Sequence, residues 1–347
     1  RRIAPDRGAT DGGEAGVVSL KTRKPTGLPS WPILLLTGVE KSGKTYAAAA
    51  ASASKMIGRT LWIGIGEDDP DEYGAIPGAR FEIVEHDGTY RGVLGSIKAA
   101  VAEVAADETP GLIVVDSATR LWNLLSDEAQ ESANRRARAK AEKFHRPVSD
   151  EDAQITVDLW NVAKSRWDNV MDLLREHRGP SIVTARLDNT AIMNDKGEPT
   201  KDRTWKVQGH KSLPYDVGAI VEMPAPGEAV LTGVRSLRVR NAQTARRPFP
   251  GFTVEKLWAE MGLDGETSPR THSAASGAES VKADDDAAST RLALLAEIGD
   301  LADSLGVTRA QVAADWQSEH GHAIAQTTDL GSLELLRDDL ATRKDAA

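Results

Sequence analysis

The segment that most constrains this chain is GVEKSGKT, residues 38–45. It follows the apolar run Ile33 to Leu36 and precedes an alanine-rich segment, an order that predicts a buried strand, a glycine loop and a helix. Such a loop can turn its backbone N–H groups inward around a polyphosphate, while the helix points its positive N-terminus at the same charge. Gly38 and Gly43 allow the backbone angles and the close approach that a side chain would prevent. An ordinary glycine turn before a helix is the simpler alternative.

Lys44 and Thr45 favour the nucleotide interpretation over a plain turn. The lysine ammonium would reach the β- and γ-phosphates, and the threonine hydroxyl would complete a Mg²⁺ coordination shell. We therefore expect ATP and Mg²⁺ as cofactors. The residues expected to contact the nucleotide are Gly38, Val39, Glu40, Lys41, Ser42, Gly43, Lys44, Thr45 and Tyr46.

Composition limits the kind of protein this can be. The 347 residues allow one large domain of about 250 residues and a smaller one. The absence of cysteine excludes disulfides, thiolate metal sites and cysteine nucleophiles. No apolar run reaches membrane-spanning length, and no signal-peptide core is recognisable, so we expect a cytoplasmic protein without a membrane partner.

The net charge of −9 is unevenly distributed along the chain. Residues 251–347 hold 8 Lys and Arg against 18 Asp and Glu, whereas residues 1–250 hold 35 against 34. The acidity belongs to the C-terminal part, and the overall charge does not exclude a nucleic-acid partner for the rest.

Strands alternate with helices after the glycine loop. Short apolar runs at Thr60 to Ile65, Arg80 to Val84 and Gly111 to Val115 predict strands, and Val93 to Ala106 has the spacing of an amphipathic helix. This alternation predicts an α/β fold whose mostly parallel central sheet is flanked by helices. Ligands bind such sheets at the carboxyl ends of the strands, where residues 38–45 lie.

Asp116 and Glu67 fall at the same edge and are candidates for metal and water chemistry. Asp116 ends four apolar residues, and a carboxylate there can hold Mg²⁺ directly or through water. The alternative role is capping of the next helix, which Ser117 could also perform. Glu67 is the candidate general base that orients the attacking water. Competing carboxylates, in a loop that could simply be solvated, are Asp68, Asp69 and Glu40.

These motifs resemble those of the RecA-fold ATPases. Val114-Val115-Asp116-Ser117 is similar to the recombinase form of the Walker B motif. Three later segments resemble phage RecA-like ATPases of the single-strand-annealing and DNA-repair type: Trp160 to Lys164, Ser181 to Arg186, and Gly209 to Val217. The resemblance spans about residues 30–260 and implies a RecA-like P-loop NTPase core, ATP hydrolysis coupled to DNA, and assembly into a ring or filament. No glycine-rich second DNA loop is recognisable, so strand exchange is not implied.

The domain organisation follows from composition. Residues 1–28 are predicted to be a flexible leader, 29–266 the ATPase domain with a charged insertion at 126–152, and 267–289 a flexible linker rich in Ser, Ala, Gly and Asp. Residues 290–347 predict a small acidic helical module, which is a candidate site for a protein partner.

Two basic stretches are candidate DNA contacts. Residues 135–146 carry six Lys and Arg against one acidic residue, and Asp188 to Lys211 interleaves basic residues with Trp205 around a predicted hairpin turn at 195–197. A solvated helix face and a plain surface hairpin are the respective alternatives. The proposed DNA-binding residues are Arg135, Arg136, Arg138, Lys140, Lys206 and Lys211.

Three arginines are candidate phosphate contacts. Arg186 ends a predicted strand and could sense the γ-phosphate bidentately. The predicted strand Leu237 to Asn241 is similar to the basic motif of ring-forming RecA-fold helicases and the RadA/Sms repair ATPases. That resemblance implies that Arg238 and Arg240 contact a neighbouring subunit's nucleotide.

Residues 153–178 predict an amphipathic helix whose tryptophans belong to the core.

The sequence thus favours a Mg²⁺-dependent ATPase of phage type, acting in recombination or repair by binding single-stranded DNA and promoting its annealing or pairing. Branched or duplex DNA is a further candidate partner. One alternative is a ring-shaped helicase, a translocase or a nuclease-associated repair motor. Another is a DNA-binding scaffold that uses ATP as an assembly switch.

Overall fold

The computed structural model describes residues 22–147, 151–194, 197–239, 246–272, 277–320, 322–327 and 330–345. The chain divides after His272 into two compact units. Most of the predicted leader, residues 1–21, lies outside the described residues, and residues 22–28 are exposed and form no helix or strand.

The first unit alternates strands and helices, as the sequence predicted. In chain order its elements are β1 (Ile33–Gly38), α1 (Lys44–Ala51), β2 (Thr60–Gly64), a 3-10 helix (Asp71–Ala75), β3 (Glu82–Ile83), α2 (Tyr90–Val104), β4 (Leu112–Asp116), α3 (Ala118–Lys143), α4 (Val157–Glu176), β5 (Ser181–Met193), β6 (Pro199–Gln208), α5 (Leu213–Asp216), β7 (Ala219–Met223), β8 (Val230–Val234), β9 (Arg247–Pro248) and α6 (Val254–Glu260).

In the described residues these nine strands form one sheet in the order β3-β2-β4-β5-β1-β7-β8-β9, with β6 paired to the outer part of β5. The six neighbouring strands β3, β2, β4, β5, β1 and β7 run parallel to one another. Strands β6, β8 and β9 pair antiparallel with their neighbours. Strand β5 separates β1, which leads into the glycine loop, from β4, which ends at Asp116. The mostly parallel central sheet with flanking helices confirms the predicted α/β fold class.

Both faces of the sheet are buried. On one face, Leu34 and Leu36 of β1 pack in a cluster with the alanines of α1 and with Trp258 of α6. On the other, Ile33 and Leu35 pack in a cluster with residues of α2, α3 and α4. Adjacent residues of β1 therefore contribute to opposite cores, which explains why its sequence is apolar throughout rather than alternating.

The structure corrects two predicted elements of this unit. The charged insertion at 126–152 is not a separate segment up to residue 143, because α3 runs without a break from Ala118 to Lys143. Small residues Ala129 and Ala133 pack its second half against Leu159. The predicted strand Leu237 to Asn241 is also wrong over its described part, since residues 237–239 form bends after β8 has ended.

The second unit consists of α7 (Gly277–Ser304), α8 (Arg309–His320), a 3-10 helix (Ile324–Gln326) and α9 (Leu330–Asp345). Leu294, Ile298, Trp316 and Leu333 form its apolar core. Helix α7 begins inside the predicted linker 267–289, which is therefore not structureless there. Residues 267–272 belong to the first unit, where the N–H of Ser268 donates to the carbonyl of Pro29. In the described part of the chain, no helix combines the length and the apolar character needed to cross a membrane.

Candidate functional site: the nucleotide edge of the sheet

The glycine loop has the geometry of a phosphate cradle. Gly43 lies in the left-handed region at φ 97°, directly before α1. A Cβ on Gly38 would lie 2.4 Å from Ser42 Oγ and 2.6 Å from the Met223 carbonyl oxygen, so only glycine fits between these atoms. The Val39 N–H donates to that same carbonyl at 3.2 Å, which ties the loop to β7.

Lys44 reaches back across the loop. Its ammonium donates to the carbonyl oxygens of Gly38 at 3.1 Å and Val39 at 2.8 Å. Burial lowers the pKa of Lys44, while Asp116 and Glu67 oppose that change by their negative charge. The predicted lysine, metal carboxylate and base are therefore within electrostatic reach of one another.

Asp116 is buried at the end of β4 between two hydroxyl groups. Thr45 Oγ1 donates to Asp116 Oδ2 at 3.4 Å, and Thr184 Oγ1 of β5 donates to Asp116 Oδ1. Burial raises the pKa of Asp116, and the two hydroxyl donors and Lys44 counteract it. The peptide bond between Asp116 and Ser117 is cis. Ser117 caps α3 by accepting the Arg120 N–H, so the capping role falls to Ser117.

Glu67 lies three residues beyond β2 and is held by hydrogen bonds on both carboxylate oxygens. Ser117 Oγ donates to Glu67 Oε1 at 2.7 Å, and Arg186 Nη2 donates to Oε1 at 3.1 Å and Oε2 at 3.0 Å. The competing carboxylate Asp69 accepts the N–H of Asp71 at the start of the 3-10 helix and is exposed. Of the two, Glu67 is the carboxylate that the structure places beside Arg186.

The residues present fit a magnesium–nucleotide complex. Buried Ser42 Oγ and Thr37 Oγ1 have no hydrogen-bond partner among the described residues, which leaves polar atoms for a ligand at the loop. Thr45 and Asp116 offer a hydroxyl and a carboxylate 3.4 Å apart, the hard oxygen donors that Mg²⁺ prefers alongside phosphate and water. In the described residues no cluster of three or more His, Cys, Asp or Glu exists that would hold a metal without those extra ligands.

The predicted hairpin is present and grows directly out of the site. Strand β5 continues past Arg186 to Met193, and β6 returns antiparallel from Pro199 to Gln208. The turn residues 195–196 lie outside the described residues, but the Gly197 N–H donates to the Asn194 carbonyl across the turn. Lys206 is exposed opposite Asp188, and exposed Lys211 follows the hairpin.

The basic stretch of α3 is partly neutralised. Arg136 pairs with Asp158 at 2.5 Å, and Arg138 lies 3.9 Å from Glu131. Arg135 donates to the hydroxyl of Ser132, and Lys140 is exposed. Two of the four proposed DNA-binding residues of this stretch therefore already face carboxylates.

Arg238 lies away from the glycine loop. It lines a cleft of about 640 Å³ with Ile33 and Gly218, which mark the opposite, amino-terminal edge of the sheet. Its guanidinium occupies the space beside Gly262, where an added Cβ would lie 2.3 Å from Nη1. Arg240 lies outside the described residues.

The sequence reasoning missed three side chains of the site. Thr184 contacts Asp116, Arg120 lies 3.8 Å from Glu67, and Arg246 pairs with buried Glu222 of β7, the neighbour of β1. A threonine inside the apolar run Ser181 to Arg186 was the available signal for Thr184. The other two depend on contacts between distant segments.

No protein-family model and no curated protein matches the chain. Among solved structures, it is similar to the RadB recombinase at 18% identity and a TM-score of 0.30, over 58% of this chain and 81% of that chain. It is also similar to a prototypical ATPase from the type III secretion system of pathogenic bacteria, at 14% identity and a TM-score of 0.34, over 92% and 83% of the respective chains. At these scores neither similarity indicates an activity or a partner.

Proposed function

We propose that the chain is a Mg²⁺-dependent ATPase that binds single-stranded DNA and promotes its annealing or pairing in phage recombination or repair. The observation that carries the proposal is the course of β5. Its inner half brings Thr184 to Asp116 and Arg186 to Glu67, and its outer half forms the exposed hairpin with β6. One strand thus belongs to both the nucleotide site and the proposed DNA contact.

Each nucleotide-site residue has a separate role. When a nucleotide binds, the Lys44 ammonium turns from the carbonyl oxygens of Gly38 and Val39 to phosphate oxygens. Its hydrogen bonds to these charged acceptors are stronger than those to neutral carbonyls. Thr45 and Asp116 would hold a Mg²⁺ ion, which would neutralise part of the phosphate charge. Glu67 accepts a proton from the attacking water. The Arg186 guanidinium can contact the γ-phosphate once its hydrogen bonds to Glu67 are broken.

The DNA contact is proposed for the hairpin and for the exposed cations near it. Lys206 lies on the hairpin and Lys211 just after it, and the half-buried Trp205 directly precedes Lys206 in the sequence. Phosphate contacts by lysine give sequence-independent, salt-sensitive binding. Arg135 and Lys140 on α3 are the second set. Assembly into a ring or filament, with Arg238 acting across a subunit boundary, is part of the same proposal.

The test is phosphate release from ATP with and without a single-stranded oligonucleotide. Lys44→Ala should abolish turnover and weaken nucleotide binding, whereas Lys98→Ala, at an exposed position of α2, should behave as the parent protein. Normal turnover by Lys44→Ala would refute the proposed site.

Further assays separate the alternatives. Annealing of complementary strands without unwinding supports the proposed function, whereas unwinding of a duplex or degradation of a strand would replace it with a helicase, translocase or nuclease-associated motor. ATP-dependent assembly on DNA with negligible turnover would indicate a scaffold that uses ATP as a switch.

A further inference from the structure

One tryptophan of α4 lies at the surface. Trp167 is fully buried, as the sequence predicted for the tryptophans of this helix, but Trp160 is 39% exposed. Its ring stacks on Trp122 of α3, with centroids 6.2 Å apart and an interplanar angle of 22°. A single exposed apolar side chain is ordinary, so the stacking and the surroundings of this ring, rather than its exposure, point to a ligand.

The ring beneath it is held firmly. The Trp122 ring lies 4.7 Å from His210 and meets Trp167 edge-on at 6.1 Å, and Trp167 in turn packs on His210 at 5.4 Å. Ser212 lies 2.7 Å from His210 Nδ1 and donates to Asp216, which also accepts the indole N–H of Trp167. The exposed ring therefore rests on a packed and hydrogen-bonded support rather than on a mobile side chain.

Two exposed lysines lie close in the chain to members of this aromatic stack. Lys164 is exposed one helical turn after Trp160, on the same side of α4. Lys211 is exposed and directly follows His210, the ring that packs on Trp122. The carboxylates in range are Asp168 and Asp216, and Asp216 is already paired with Arg175.

The stack also lies at the base of the hairpin. His210 follows the last residue of β6 by two positions, and the Gln208 carbonyl accepts the hydroxyl of Thr119, one turn of α3 before Trp122. A single strand of DNA that follows the hairpin to its base would therefore come next to Trp160.

We propose that Trp160, supported by Trp122, is a base-stacking platform for the single strand, with Lys164 and Lys211 holding the adjacent phosphates. This inference rests on the proposed DNA-binding function and names a contact that the phosphate-binding lysines alone do not supply. Every base has a π-face, so such a platform binds without sequence preference.

The test compares two fluorescently labelled oligonucleotides of equal length, oligo-dT and a strand of abasic sites that retains the phosphates. The parent protein should bind oligo-dT more tightly. Trp160→Ala should lose about 5- to 150-fold in affinity for oligo-dT, the range for one stacked base, and little for the abasic strand. Trp160→Phe should retain most of the affinity, and Val162→Ala, an exposed apolar position on the same helix, should behave as the parent protein.

Three outcomes would overturn the inference. Equal losses for both oligonucleotides in Trp160→Ala, with Trp160→Phe equally impaired, would show a structural role. Retention of the base-dependent difference by Trp160→Ala would show that the bases stack elsewhere. A change in oligomeric state with unchanged DNA binding would assign the ring to contact with a second protein copy. If the parent protein binds neither oligonucleotide, the proposed function itself fails.

Discussion

Arg186 Nη2 donates to both carboxylate oxygens of Glu67, at 3.0 and 3.1 Å. The two side chains proposed to act on the γ-phosphate and on the attacking water are thus paired with each other. Their side chains are 44% and 25% exposed, so water screens the pair and its separation costs only about 1 kcal/mol or less. Either residue can therefore be released by a ligand that offers it a better partner.

Glu67→Gln should bind ATP as the parent protein does and lose hydrolysis by about 10²- to 10⁴-fold, the usual contribution of a general base. The amide keeps an oxygen for Arg186 and Ser117 but cannot take a proton from water. Nucleotide titration and single-turnover phosphate release measure the two effects separately. Asp69→Asn is the matched control, and the assignment is wrong if that variant loses hydrolysis while Glu67→Gln does not.

Gly38→Ala should disrupt the loop, because the new methyl group would meet Ser42 Oγ at 2.4 Å and the Met223 carbonyl oxygen at 2.6 Å. We expect a loss of stability of about 1–3 kcal/mol, as for other overpacked sites, together with loss of nucleotide affinity. Gly74→Ala adds a methyl group with nothing within 4 Å and should be close to neutral. Chemical denaturation and nucleotide titration test both variants, and parent-like nucleotide binding by Gly38→Ala would contradict the proposed cradle.

Lys206→Ala and Lys211→Ala should each reduce the slope of log affinity against log salt by about 0.7 for a single strand. Without the lysine, the phosphate that it contacted keeps its counterion when the protein binds. Arg136→Ala should change the slope less, since Arg136 already pairs with Asp158. Affinities at several salt concentrations decide the matter. Weaker binding with an unchanged slope would mean that the substitutions perturb the fold instead.

His177 should make the protein less stable in mild acid. Burial lowers its pKa to about 4, and its Nε2 lies 2.9 Å from the Gly111 carbonyl oxygen. Between pH 6.5 and 4 the unfolded chain binds a proton that the folded chain does not, so the free energy of unfolding falls as pH falls, by roughly 3 kcal/mol in total. His177→Gln can keep a donor to Gly111 without titrating. Urea denaturation at pH 7 and pH 4 should show a smaller loss for this variant, and an equal loss would exclude His177 as the cause.

The elements that the sequence predicted well are those whose signal is local. The glycine loop and the run ending at Asp116 can each be predicted from no more than eight consecutive residues, and the residues at 195–197 predict a hairpin turn. Arg246 could not be assigned in the same way, because its partner Glu222 lies 24 residues away in the chain and is brought close by strand pairing. For Thr184 the only local signal is a polar residue within an apolar run, and its partner Asp116 lies 68 residues away.

The wrong predictions also have physical causes. The sequence predicts a charged insertion at 126–152 because the buried face of α3 beyond Leu125 consists of alanines, which carry a weak hydrophobic signal beside six cations. The alternation around Leu237 and Val239 imitates a strand, yet Leu237 is 97% exposed and pairs with no strand in the described sheet. The composition of 267–289 suggested a linker although its alanines are good helix formers.

The length of β5 has a mechanical consequence. From Arg186 to Met193 the strand extends about 23 Å, at roughly 3.3 Å per residue, and β6 stiffens it from one side. A tilt of about 10° at Arg186 would move the outer end by about 4 Å, close to the rise of one residue along a strand. A small change in the direction of β5 at Arg186 would therefore displace the outer end of the hairpin by about the rise of one residue.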